Sequence, residues 1–333
     1  MWMEFLYEYG LFLIKFGTVI GGVAAVAFLI VMLKMRSRVA EEGHLEVKHI
    51  NQKFDHAKLM LEAATLPKGI FKKSVKAHKE KQKKAEKSDA GDRKRIFVLN
   101  FRGDIRADEV ASLREEISAI LTTAANQDEV LVILESGGGT VHGYGLGASQ
   151  LRRIRDKSIP LTVAVDKVAA SGGYMMACVA NRIIAAPFAI IGSIGVLAQI
   201  PNFHKLLKKH DIDFEQISAG RYKRTLSLFG ENTEADREKL RAELEETHEL
   251  FKQFVRENRE QVDVEAISTG EHWHGQKALE LGLVDALQTS DDYLSEAAKS
   301  TDIYEIRFAR KKPFVEKFFS SAAKLFHHES SKL

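Results

Sequence analysis

A serine sits at the centre of Ala169-Ala170-Ser171-Gly172-Gly173-Tyr174. The apolar run Leu161 to Val165 precedes it, and a helix-compatible segment, Met175 to Ala180, follows. A serine on a strand-to-helix turn exposes its hydroxyl while the first N–H groups of the helix point at one spot. That layout suits a nucleophile with an oxyanion hole. It equally suits a turn serine that only caps the next helix. A second glycine turn, Glu135-Ser136-Gly137-Gly138-Gly139, follows another apolar run and offers a further N–H donor. Nucleotide chemistry fits less well. Gly143, Gly145 and Gly147 lack dinucleotide-binding spacing, and no phosphate loop ending in Lys-Ser/Thr is present.

A serine nucleophile needs a base. His142 follows the first glycine turn, and His272 and His274 flank Trp273 in a polar loop, but none has an orienting carboxylate nearby in sequence. His-x-His supplies two ligands, too few for a metal site. A lysine base must be neutral, and at an ordinary pKa of ~10.4 roughly one lysine in 2,500 is neutral at pH 7. Lowering that value to about 7.5 takes roughly 4 kcal/mol of differential destabilisation, which apolar surroundings can supply. Lys223, between Tyr222 and Arg224, is not singled out by its local sequence alone.

The elements that must hold these residues begin at Ile96. Ile96–Phe101, Val130–Leu134, Leu161–Val165 and Arg182–Ala186 read as strands, and Phe214–Ser218 as one more short strand. Ala107–Ala125 and Gly145–Arg155 read as helices. Continuous apolar strands alternating with helices imply an α/β fold on a mostly parallel sheet buried on both faces. Thr233 and Asp236 form a capping-box pattern at the start of a long helix, and Gln276–Leu281 reads as a short helix stopped by Gly282. Cys178, the only cysteine, lies among apolar neighbours and reads as a small buried hydrophobe.

Phe16 to Leu33 carries no charge. As a helix it spans about 27 Å, enough for a bilayer core. Glu4 and Glu8 ahead of it, and no small-residue cleavage site behind it, favour a membrane anchor over a cleaved signal. Lys34, Arg36 and Arg38 argue for a cytoplasmic C-terminal flank. Between Lys68 and Arg95, twelve Lys+Arg face four Asp+Glu, read as a solvated linker or as a segment drawn to anionic lipid. The net charge of +3 is too small to argue for nucleic acid. The resulting organisation is an anchor over 1–34, a basic linker over 35–95, a catalytic domain over 96–300 and a tail over 301–333. From Pro313 onward the tail is amphipathic.

Five ordered motifs resemble the signal peptide peptidase A family of serine–lysine membrane peptidases, most closely its SohB branch. They are Glu135–Gly139, Ala169–Tyr174, Gly192-Ser193-Ile194-Gly195-Val196, Ser218-Ala219-Gly220-Arg221-Tyr222-Lys223, and Thr269 to Asp285. The resemblance implies Ser171 as nucleophile, Lys223 as base, Gly138 and Gly172 N–H groups as the oxyanion hole, and Ser193 as a support for Lys223. Here Gly137 stands where the family usually has proline, and Glu135 where it has asparagine. The resemblance further implies a crotonase-like spiral fold, a homo-oligomeric ring with Lys223 reaching a neighbour's Ser171, and extended peptide substrates such as signal-peptide remnants. It implies no metal or cofactor, and an inner-membrane location with an extracytoplasmic catalytic domain. An acyl-CoA hydratase or hydrolase and a non-catalytic membrane scaffold are the alternatives.

Overall fold

The computed structural model describes residues 2, 10–12, 15–18, 20–23, 43–87, 93–220 and 222–310. The chain divides into two compact units: residues 47–307, and residues 1–46 with 308–333. In the smaller unit, the described residues among 10–23 have helical backbone. Most of the anchor segment and all of the tail from Pro313 lie outside the described residues. Among the described residues no helix is long and apolar enough to cross a membrane.

Strand β1 spans Gly43–His49. The larger unit is built on a sheet whose central strands are β2 (Arg95–Gly103), β3 (Glu129–Ser136), β4 (Leu161–Val165) and β6 (Arg182–Ala185). These pair parallel in that order. Strand β9 (Ala286–Leu287) continues the sheet beyond β6, and β10 (Asp302–Arg310) pairs with β2 on the other side. Alternate residues of β2 enter different cores. Phe97, Leu99 and Phe101 pack with Val130, Val132 and Leu134, while Ile96 and Val98 pack with Leu131, Ala164 and Ile303. Burial on both faces is why these strands read as unbroken apolar runs.

Short strands step off this sheet and carry the glycine turns. Strand β5 (Val168–Ala170) pairs with β3 at Ser136–Ala169 and with β7 (Ile190–Gly192). Strand β7 pairs antiparallel with β8 (His272–His274). Helix α3 (Val110–Leu121) and helix α4 (Val141–Asp156) cover the larger core, and α5 (Gly172–Ala177) enters it. A short α6 (His204–Lys209) precedes α7 (Glu234–Asn258), which starts at the Thr233–Asp236 capping box, with both reciprocal bonds formed. The closing segment adds α8 (Val264–Ile267), α9 (Gly275–Glu280) and α10 (Ser290–Ala297). Gly282 ends α9 at a positive φ of 74°.

Three segments differ from the sequence reading. Phe214–Ser218 forms no strand; it pairs with nothing among the described residues, and Ile217 is 96% exposed. The region read as a linker contains two helices, α1 (Ile50–Thr65) and α2 (Lys68–Lys87). Asn51 fastens α1 to the sheet. Its Nδ2 donates to Thr301 O at 2.8 Å, and its Oδ1 accepts Ile303 N–H at 2.7 Å. Residues 302–305, placed in the tail over 301–333 by the sequence reading, pair with β2, and Ile303 packs in the smaller core.

Candidate active site

Ser171 is the single residue between β5 and α5. Its backbone has φ 53° and ψ −120°, a sparsely populated conformation for a residue with a Cβ. Its N–H donates to Gly192 O at 2.7 Å, so β7 pins the turn from behind. The first N–H groups of α5 have no acceptor within the helix and lie next to the hydroxyl. Strain of this kind lifts a serine out of the regular ladder, as a nucleophile requires.

The second turn meets the first. Gly138 has φ 91°, and a Cβ added there would fall 2.7 Å from Ser171 Cβ, 2.8 Å from Gly172 N and 2.9 Å from Ala170 O. Only glycine fits. Gly139 is as tightly bound on its other side, where a Cβ would lie 2.1 Å from Ile105 O. Gly137 is open, with nothing within 4 Å of an added Cβ. Ser171, Gly172 and Gly138 are thus gathered at one place by two turns from different parts of the chain.

Two residues beyond the sequence-derived set hold this junction. Gly138 N–H donates to Ser136 Oγ at 3.0 Å, Ser136 Oγ donates to Tyr144 Oη, and Tyr144 Oη donates to Asp104 O at 2.7 Å. The Tyr144 ring also presses on Gly172, where an added Cβ would fall 2.4 Å from Cγ. Burial, the largest influence on Tyr144, raises its pKa. Ser136 was visible within the glycine motif, but Tyr144 lay just ahead of the helix read over Gly145–Arg155 and carried no signal of its own. The Gly138 N–H is therefore already engaged in this structure, and an oxyanion would have to share it with Ser136 or displace Ser136.

Ser193, directly after β7, has φ 53°, and its N–H donates to Glu271 O at 2.6 Å. It adjoins the Gly192 carbonyl that receives Ser171 N–H. Lys223 is exposed, its N–H donates to Gly220 O at 3.1 Å, and among the described residues no hydrogen bond joins it to Ser171. The segment around it exposes Leu197, Ile212, Phe214, Ile217 and Tyr222.

The other candidates sit elsewhere in the fold. Cys178 is buried, which pushes its thiol up to about 12, so it holds its proton at neutral pH. Tyr174 is raised chiefly by burial and donates to Leu283 O at 3.0 Å. His142 begins α4, while His272 and His274 flank Trp273 on β8. His274 Nδ1 lies 3.3 Å from Phe188 O. Among the described residues no three His, Cys, Asp or Glu side chains are grouped to hold a metal ion.

Residues 4–151 match Peptidase family S49 N-terminal, and residues 153–304 match Peptidase family S49. The chain belongs to peptidase family S49. Its S49 relatives include a Probable protease SohB from Haemophilus influenzae, 47% identical over 99% of this chain and 97% of that one. Another Probable protease SohB, from Buchnera aphidicola subsp. Schlechtendalia chinensis, is 48% identical over 88% of this chain and 99% of that one. Among solved structures, the 1510-N membrane-bound stomatin-specific protease in complex with a substrate peptide aligns with a TM-score of 0.42 and 14% identity. It covers 70% of this chain and 99% of that one. S49 membership makes this chain a protease, and the acyl-CoA and scaffold alternatives find no support.

Proposed function

We propose that this S49 protease is a membrane-anchored serine endopeptidase working through Ser171 and Lys223. Ser171 Oγ attacks the substrate carbonyl carbon while neutral Lys223 takes its proton. The N–H groups of Gly172 and Gly138 hold the tetrahedral oxyanion, with Gly138 turning part of its bond away from Ser136. Collapse breaks the C–N bond, and Lys223 returns a proton to the leaving amine. Water then attacks the acyl-enzyme as Lys223 again accepts a proton, and collapse breaks the bond between Ser171 Oγ and the carbonyl carbon as Lys223 returns that proton to Oγ. Ser193 orients Lys223. The observation that carries this reading is the contact of Gly138 with Ser171 and Gly172, which puts a strained serine beside two backbone donors.

The base comes from a neighbouring copy of the chain. Two facts support this: Lys223 is exposed and makes no bond to its own Ser171, and its segment bears apolar side chains that a second copy would cover. A homo-oligomeric ring on a spiral, crotonase-like fold follows, anchored in the inner membrane through residues 16–33 with the catalytic domain extracytoplasmic. Its substrates are extended peptides with small or apolar side chains, such as signal-peptide remnants or unfolded membrane-proximal segments. The test is a mixing experiment. Ser171→Ala and Lys223→Ala proteins are each inactive and still assemble, and co-assembly of the two restores part of the activity. Full activity of Lys223→Ala alone overturns the lysine base; failure of mixing to restore any activity overturns the shared site.

A further inference from the structure

The helical hairpin of α1 and α2 has no part in the proposed chemistry. Its packing is nonetheless specific. Ile50 and Phe54 of α1 pack on the smaller core beside Ile96, Leu131 and Ile303. On α2 the half-buried residues are Phe71, Ser74, Val75 and His78, spaced as one helical stripe. Ser74 Oγ donates to Glu62, and His78 Nε2 lies 3.8 Å from Asp55. This stripe holds α2 against α1.

A second stripe of α2 faces solvent. Lys68, Lys72, Lys76 and Lys79 follow at intervals of four, four and three residues, so they share one face. All four are exposed, and among the described residues none makes an ion pair. Over its whole length α2 carries nine lysines against two glutamates. Such a charge excess is mildly self-repulsive, and an anionic surface nearby offsets the repulsion. The uncharged stretch Phe16 to Leu33 lies upstream in the same chain, so of the polyanionic surfaces a lysine row can meet, the anionic headgroups of a bilayer are the one the membrane reading brings close.

We infer that the Lys68–Lys72–Lys76–Lys79 face of α2 docks on the anionic headgroups of the membrane, holding the catalytic unit against the lipid surface. The inference rests on the membrane reading above and adds a surface with a defined ligand class. Each lysine near an anionic surface contributes about fivefold in binding, and salt removes the effect.

Lysine-acetylation footprinting of the full chain tests this, with vesicles of phosphatidylcholine alone or mixed with phosphatidylglycerol. Protection of the four lysines by at least about fivefold, only with phosphatidylglycerol and lost at about 0.5 M salt, is the expected result. Protection equal in both lipids, or in neither, overturns the inference. So does stronger protection by duplex RNA than by the anionic vesicles. The Lys72→Gln, Lys76→Gln protein should keep its peptidase activity in detergent and lose most of the lipid-dependent protection of Lys68 and Lys79. Flotation separates this inference from the anchor. A chain that floats only with anionic vesicles keeps the lysine face and loses the anchor. A chain that floats with both and shows no protection loses the lysine face and keeps the anchor.

Discussion

Gly138 and Ser171 touch across two turns that are 33 residues apart in the chain, and a Cβ on Gly138 would fall 2.7 Å from Ser171 Cβ. Gly138→Ala therefore strains a left-handed backbone and drives a methyl into Ser171 and Gly172 N at once. We expect kcat to fall by about 10²–10³, the scale of losing an oxyanion donor. Steady-state kinetics on a fluorogenic peptide measures it. An alanine protein with activity within twofold of the original would falsify the placement of this turn at the reacting centre.

Gly137 is the contrasting neighbour. Its φ lies outside the left-handed region and an added Cβ meets nothing within 4 Å. Gly137→Ala should stabilise the protein by about 0.4–1 kcal/mol by restricting the unfolded chain. Activity should stay within about twofold. Thermal unfolding and the same peptide assay report both numbers.

Tyr144→Phe keeps the ring against Gly172 and removes the hydroxyl that joins Ser136 to Asp104 O. Leaving those buried partners short of a bond costs about 1–3 kcal/mol. The loosened turn should lower kcat more than it raises KM, and affinity for a peptide boronate should fall in step with kcat/KM. Unchanged boronate affinity in a folded Tyr144→Phe protein would separate Tyr144 from the oxyanion turn.

The central strands were legible because burial on both faces leaves no polar alternation. Val130 to Leu134 and Leu161 to Val165 admit little else. The strand-to-helix turn at Ser171 was legible from residue type, while the choice between a capping serine and a nucleophile came from the resemblance of five ordered motifs and not from the turn itself. Phe214–Ser218 misled because its residue types suit a strand, while among the described residues no strand pairs with it. The α1–α2 hairpin was hidden by composition. From Lys79 to Lys87 the sequence has no apolar stripe, and the half-buried residues described on this helix, Phe71 and Val75 among them, lie upstream of that run. Tyr144 was hidden because a buried tyrosine looks like any core residue until its hydroxyl partners are known.

Stability should depend on pH through Asp128. Burial raises its pKa, but hydrogen bonds from the Arg95 side chain and the backbone N–H groups of Ala125 and Arg95 outweigh burial and hold the carboxyl below its ordinary value. A depressed folded value means the contribution is complete above the unfolded pKa of ~3.9 and is lost as pH falls through the folded one. Asp128→Asn should therefore be less stable at pH 7 by about 1–3 kcal/mol and lose stability less steeply below pH ~4. Denaturant melts across pH read this slope, and parallel acid limbs for the two proteins would contradict it.

The central claim is that Ser171 is the nucleophile, and intact-mass spectrometry after treatment with a peptidyl phosphonate tests it most directly. The account requires one adduct per reactive site, mapped to Ser171, with loss of peptidase activity in proportion to labelling and no adduct on Ser171→Ala. An adduct on another residue, or peptide cleavage by Ser171→Ala at the original rate, would contradict it.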